Sequence, residues 1–160
     1  MNQSPYSIRQ AVLTDLPILR QFEQGVVEAE RPFAAHLRPG PAIYYDIEGL
    51  IASADSAVIV IESNSRLIAC GFARIDDQKA YYMPAKICYI GLMYVEPEFR
   101  GMGLISKVFE ALAQWSKNQG VAEYKLDVYA ENSSAIKAYE KLGFKASLIE
   151  MRLGADSDHP

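Results

Sequence analysis

The chain has 160 residues, half of them hydrophobic and 22% charged, which excludes an intrinsically disordered chain and fits one domain with one sizeable core. Its formal net charge of -4, with lysines and arginines scattered among acids, excludes the basic footprint of a nucleic-acid-binding protein. Cys70 and Cys88 sit inside apolar runs and read as buried free thiols, while His36 and His159 are isolated, so no metal-ligand spacing exists.

The first residues show no basic-then-apolar signal pattern, and no apolar run approaches the ~20 residues that cross a bilayer. A soluble cytoplasmic protein without a membrane partner is expected. There is no internal repeat or low-complexity linker, so residues 1–160 read as a single domain, with its core at about 6–153 and a polar tail at 154–160.

Residues 6–11 carry the first strand signal. Thr14 reads as an N-cap, with Asp15 and Pro17 in the first turn of a helix whose apolar positions are Leu16, Leu19, Phe22 and Val26. Residues 28–45 read as irregular, because Pro32, Pro39, Gly40 and Pro41 forbid one continuous helix. A short helix is expected over 46–51. Residues 57–62 and 67–75 are strands joined by a turn at Asn64 and Ser65, and 76–79 is a polar turn. A long fourth strand follows at 86–95, with Gly91 in its middle, where a bulge or a close approach is the common reason for glycine. A helix opens near Gly103, lined by Leu104, Val108, Leu112 and Trp115, and ends at Gly120. Residues 124–129 are a fifth strand, Asn132 to Ser134 cap another helix that Gly143 stops, and 144–153 supply a last strand.

The second to fourth strands should form an antiparallel meander, and the helix after the fourth makes it parallel to the fifth. The expected class is α/β: a mixed sheet of about six strands with helices on both faces.

The chemistry concentrates after the fourth strand, in Glu96-Pro97-Glu98-Phe99-Arg100-Gly101-Met102-Gly103-Leu104-Ile105-Ser106. A strand, a glycine loop and a helix start make an anion site: free N–H groups and the helix dipole favour negative charge, and Gly101 and Gly103 admit a bulky anion. Arg100 adds a charge suited to phosphate. The Gly-Lys-Ser/Thr ending of a nucleotide-triphosphate loop is absent, and so is the third glycine of a dinucleotide fingerprint.

Val95-x-Pro97-x-x-Arg100-Gly101-x-Gly103 resembles the acetyl-CoA loop of the GNAT superfamily of N-acetyltransferases. Asn132-x-x-Ala135-x-x-x-Tyr139-x-x-x-Gly143-Phe144 is similar to that family's C-terminal motif. The order of elements over roughly 6–153 agrees with both. The resemblance departs at Ile105, where the family has Gly or Ala.

The resemblance implies acetyl-CoA as cosubstrate, a primary amine on a small molecule, peptide or protein as acceptor, and direct transfer between them. It implies that the backbone of Met93, Tyr94 and Val95 lies along the pantetheine arm. The N–H groups of Arg100, Gly101, Met102, Gly103, Leu104, Ile105 and Ser106 would hold the pyrophosphate. Asn132 would hold the arm or the strand–helix corner, and Tyr139 would be the general acid beside the leaving thiolate. Many relatives carry a glutamate base in the fourth strand, but here that position falls near Tyr89 and no acid lies between Lys86 and Val95. Glu28 and Glu30, in the stretch that covers the substrate side in the family, stand as candidate bases, with Asp127 as another. Glu30, Arg31, Tyr44 and Tyr45 are the candidate substrate wall: Glu30 would pair with a cation, Arg31 with a carboxylate. Relatives are often dimers, so a homodimer is possible. Ile105 and the missing fourth-strand glutamate leave open a non-catalytic acyl-CoA-binding module on the same fold.

Overall fold

The computed structural model describes residues 4–155. His159, the first three residues and most of the expected polar tail lie outside them. A five-stranded sheet runs in chain order: β1 (Ser7–Gln10), β2 (Ser56–Ser63), β3 (Arg66–Asp77), β4 (Lys86–Val95) and β5 (Tyr124–Lys125). The first four strands pair antiparallel and β5 joins β4 in parallel, as the crossover helix requires. The helices are α1 (Leu16–Glu30), α2 (Ile47–Ala52), α3 (Leu104–Asn118) and α4 (Ser133–Lys141).

The continuous apolar run of β2 follows from burial on both faces. Ile59 and Ile61 face α3, whose Leu104, Val108 and Leu112 are buried against them together with Cys88 and Ile90. Val58 and Val60 face α1 and α2 and pack with Leu19, Phe22, Ile47, Leu50, Cys70 and Phe72. Cys70 and Cys88 are both free and buried, and they belong to these two separate clusters. The hairpin at Asn64 and Ser65 forms with φ of 49° and 61°, the left-handed pair that a two-residue type I′ turn needs. Among the described residues no helix is long and apolar enough to cross a membrane.

Four sequence expectations shift. The first helix continues through Glu28, Ala29 and Glu30, all within α1, because the next proline is Pro32, which opens a short 3-10 turn, Arg31–Phe33. Thr14 is not a cap. It lies in a 3-10 turn, Leu13–Asp15, and the Asp15 carboxylate accepts from the Val12 N–H at 2.8 Å while binding Arg9 at 2.7 and 3.0 Å. The fifth strand shrinks to two residues, since its ladder with β4 stops at Tyr89–Lys125. The last strand, expected over 144–153, joins no ladder. Alternation supplies a strand's side-chain pattern, but a strand persists only where an edge satisfies its backbone.

The bulge that positions the site lies in β4. Cys70 pairs with Tyr94 while Phe72 pairs with Gly91, so β4 carries one extra residue opposite Gly71, and Leu92 takes a positive φ of 51°. A bulge bends its strand and raises its twist. The Cys70 thiol secures it by donating to the Leu92 carbonyl at 3.3 Å. Gly91 is required by close approach: a Cβ there would stand 2.5 Å from the Phe72 ring.

Candidate active site

The loop between β4 and α3 has the geometry of an anion cradle. Gly101 and Gly103 adopt φ of 77° and 74°, and a Cβ on either would meet nothing within 4 Å. The first helical bond is donated by Lys107 to the Gly103 carbonyl at 3.3 Å. Among the described residues the N–H groups of 101–106 have no backbone acceptor, so they and the α3 dipole are available to a negative group. Ile105 is half-buried and packs on the cluster between α3 and the sheet. Its branched side chain therefore turns inward and leaves its N–H at the loop. Arg100 donates from Nε to the Val95 carbonyl at 3.0 Å, with its guanidinium 5.9 Å from the centre of the Tyr94 ring. This anchors one positive charge at the mouth of the cradle. Open space, unpaired donors and a fixed cation fit a diphosphate.

A gap continues from this cradle. Among the described residues, β4 has no partner on its β5 side beyond Tyr89–Lys125, and residues 126–131 donate no backbone bond to the sheet. The backbone of Met93, Tyr94 and Val95 borders the gap. The Tyr94 ring does not enter it, because it packs 4.8 Å from Phe22 on α1. Asn132 stands at the far side as the α4 cap, accepting from the Ala135 N–H at 3.3 Å.

At the other end of the gap, five tyrosines and two acids converge. Glu30, the last residue of α1, is half-buried. Burial raises its carboxyl above the usual carboxylate range, opposed by the Tyr44 hydroxyl that leans toward it. The Tyr44 hydroxyl is itself buried without a well-formed hydrogen bond. Its acidity is suppressed by burial first and then by the Glu30 charge. Tyr45 and Tyr129 are held above their ordinary range by burial and then by Glu30. Tyr139, half-buried on α4, is pushed up to about 12 by burial, then by Glu30 and Tyr45. Tyr89 donates to Asp127 at 3.2 Å, and burial followed by Tyr45 and Asp127 raises its phenol. Tyr139 and Glu30 thus share one environment, although they come from helices at opposite ends of the chain.

The wall is held by side chains that sequence reasoning missed. Glu23, 1% exposed, accepts from the N–H groups of Tyr44 and Tyr45, each at 2.9 Å. Gln24 brackets Ala42 through its amide, donating to the carbonyl at 2.6 Å and accepting from the N–H at 3.1 Å. A polar residue on the buried side of an amphipathic helix, beside a proline-rich loop, was the available signal. Tyr129 also escaped notice, because its segment read as plain strand.

Two candidates are placed differently from the expectation. Arg31 spends its guanidinium on the carbonyls of Arg38 and Gly40, at 2.9 and 2.7 Å, and on Glu28 at 3.0 Å. It staples the loop to α1, with no donor directed at a substrate carboxylate. Glu28 is turned into that pair and is largely exposed, away from the tyrosines around Glu30. Arg74 is likewise held by Asp76 at 2.7 and 3.0 Å.

Sequence comparison bears on this geometry directly, since a family model described as "Acetyltransferase (GNAT) family" matches residues 23–144. The chain belongs to the GNAT family of acetyltransferases. It is 36% identical over 56 residues to N-alpha-acetyltransferase 30 of Schizosaccharomyces pombe, covering 35% of this chain and 37% of that protein. It thus spans little more than a third of that relative. It is 27% identical over 119 residues to aminoglycoside N(6')-acetyltransferase type 1 of Salmonella typhimurium, covering 71% and 74%. A predicted acetyltransferase of Clostridium acetobutylicum, solved with acetyl-CoA, shares the fold with a TM-score of 0.74 at 20% identity, over 93% and 96% of the two chains. The mixed sheet with its gap beside β4 is therefore the GNAT fold, and the family match spans the glycine cradle and the stretch from Asn132 to Phe144.

Proposed function

We propose that this chain is an acetyl-CoA-dependent N-acetyltransferase acting on a primary amine by direct transfer. The observation that carries the reading is the convergence of Glu30 and Tyr139 at one end of a gap whose other end is a diphosphate cradle. Acetyl-CoA, when bound, supplies the thioester acetyl group. Backbone N–H groups of 101–106 and Arg100 would hold its diphosphate. Backbone groups of the Met93–Val95 stretch that face the gap would pair with its amides like an added strand, and Asn132 would border the arm.

Glu30 serves as the base. An amine reaches the site as an ammonium ion, and the nucleophile is the neutral amine. Burial raises Glu30 toward neutrality, which brings its basicity closer to the operating pH, and the surrounding phenols orient the carboxylate. Asp127, bonded to Tyr89, provides a second negative charge for a cationic acceptor. With Arg31 held by Glu28 and two backbone carbonyls and Arg74 held by Asp76, the wall favours cations over carboxylates. Tyr139 faces the leaving sulfur. At about 12 its phenol remains protonated throughout the working range. A thiol has a pKa of about 8.5, so Tyr139 stabilises the departing thiolate chiefly by donating a hydrogen bond. The proton lost by the acylated amine then completes the thiol. Ile105, its side chain half-buried against the sheet and its N–H free, is compatible with a working cradle and so does not favour a non-catalytic module.

Replacing Tyr139 with Phe tests the assignment. Turnover should fall by roughly 10²–10⁴-fold while acetyl-CoA affinity, read by calorimetry, stays unchanged. Unaltered turnover on a panel of amines would remove Tyr139 from the chemistry.

A further inference from the structure

Glu23 and Glu30 stand seven residues apart on α1, which places them two turns apart on one face, roughly 10 Å along the axis. Both face inward, and Val27, between them on that face, is fully buried. The 38–45 stretch runs back along this helix. Arg31 binds the carbonyls of Arg38 and Gly40, Gln24 brackets Ala42, and Glu23 accepts the N–H groups of Tyr44 and Tyr45. Tyr44 therefore has its main chain at Glu23, while its hydroxyl reaches the Glu30 end of the helix, where the two groups act on each other. Tyr45 braces the ring edge-on, with centroids 5.9 Å apart. Among the described residues the Tyr44 hydroxyl is the one buried side-chain oxygen or nitrogen without a hydrogen-bond partner.

A sealed donor without a partner costs stability, and phenylalanine would fill the same space without that cost. The hydroxyl is shut off from solvent, so it touches no acceptor molecule directly; the charged group within its reach is Glu30. We propose that Tyr44 is a positioning residue for the base: a strut along α1, fixed by Glu23 at its main chain, whose hydroxyl closes onto the Glu30 carboxylate when that carboxylate is ionised. The assignment rests on Glu30 being the base and names the one phenol that holds it. The other titratable groups that face Glu30 are Tyr45 from the same stretch, Tyr129 from 126–131 and Tyr139 from α4; none of them is a cation. Burial acts against the charge on Glu30, and the Tyr44 hydroxyl opposes burial. Tyr44 thus keeps the carboxylate available at a lower pH than burial alone would permit, and Tyr139 is left free for the leaving sulfur.

Tyr44→Phe tests this in the full chain. The Glu30 carboxyl is followed by carbon-13 NMR through a pH titration, with Glu30→Gln used to assign its signal. Without the hydroxyl the neutral form of Glu30 is favoured, so its midpoint should move up by about 1–2 pH units. The acid limb of kcat/KM, measured on the best acceptor of the amine panel, should move with it, while kcat above the limb falls only a few-fold and acetyl-CoA affinity is unchanged. Because the hydroxyl makes no bond in the resting protein, the melting temperature should not fall. A role confined to packing would lower rates at every pH and leave the midpoint in place. In a Glu30→Gln background Tyr44→Phe should change kcat/KM by less than about twofold, since the two side chains act as one unit. An unmoved Glu30 midpoint, a melting temperature several degrees below wild type, or the same loss of rate in both backgrounds would each overturn the strut. Glu30→Gln with unaltered turnover would remove the base and the strut with it, whereas an impaired Glu30→Gln beside an unmoved midpoint in Tyr44→Phe would remove the strut alone.

Discussion

Glu30 shows how little separates a structural carboxylate from a functional one. Glu28 lies two positions earlier on the same helix, points outward and pairs with Arg31. Glu30 points in and finds only phenols. Desolvation disfavours its charged form, and no cation compensates. The consequence for pH follows from the sign of that shift. A base works only when ionised, so kcat/KM should fall as pH drops through the raised Glu30 value. The midpoint of that acid limb should stand above the ~4.3 of an unperturbed glutamate. Glu30→Gln should lower kcat/KM by about 10²–10⁴-fold and abolish the limb, with acetyl-CoA affinity retained. Initial rates across a pH series decide it: an unchanged acid limb in the variant would assign the base elsewhere, with Asp127 the next group to replace.

The elements that build the site depend on one another through β4. Its bulge separates the paired half, which holds β5, from the unpaired half, which borders the gap. Phe72 fills the space over Gly91, meets the Tyr45 ring edge to face at 4.8 Å and lies tilted against the Tyr89 ring at 6.0 Å. Gly91→Ala would drive a methyl into a fully buried ring. We expect it to destabilise the fold by about 1–3 kcal/mol, read by chemical denaturation, and to raise the KM for the amine by displacing the two tyrosines. An alanine variant with wild-type stability would mean that Phe72 has another rotamer open to it. The glycine in a long apolar strand was legible in the sequence as a bulge or a close approach, and it is both. The meander, the parallel crossover, the glycine cradle and the Asn132 cap were legible for the same reason: each rests on local chemistry that a few adjacent residues dictate. The wall around Glu30 was not. It depends on Glu23 reaching backbone donors at Tyr44 and Tyr45, a contact between a helix and a loop about twenty residues on, which no local pattern encodes. The shortened β5 and the unpaired 144–153 were hidden likewise, because pairing belongs to the edge a strand meets.

At the scale of the whole molecule the least secured part is α4. No residue of that helix is fully buried; it is joined to the rest through Tyr139, beside Glu30 and Tyr45, and through Phe144, whose ring lies 5.4 Å from Phe109 and 6.1 Å from Tyr139. A ligand occupying the gap would touch β4, the start of α3 and the α4 corner together, replacing the ladder that β4 and 126–131 do not make. Binding to the folded state alone stabilises it in proportion to ligand saturation. At a hundred times the dissociation constant the gain is about 2.7 kcal/mol. For a domain of this size that should raise Tm by roughly 5–10 °C. Thermal melts with acetyl-CoA should show that shift, and hydrogen exchange should slow in α4 more than in the β2–β3 hairpin, which is already buried. Pantetheine, which lacks the diphosphate, should give a much smaller shift at equal concentration, because it leaves the N–H groups of 101–106 unpaired. Equal shifts from the two would mean that the glycine loop contributes no binding energy. No shift from either would remove the gap as the acetyl-CoA site and with it the transfer chemistry assigned to Glu30 and Tyr139.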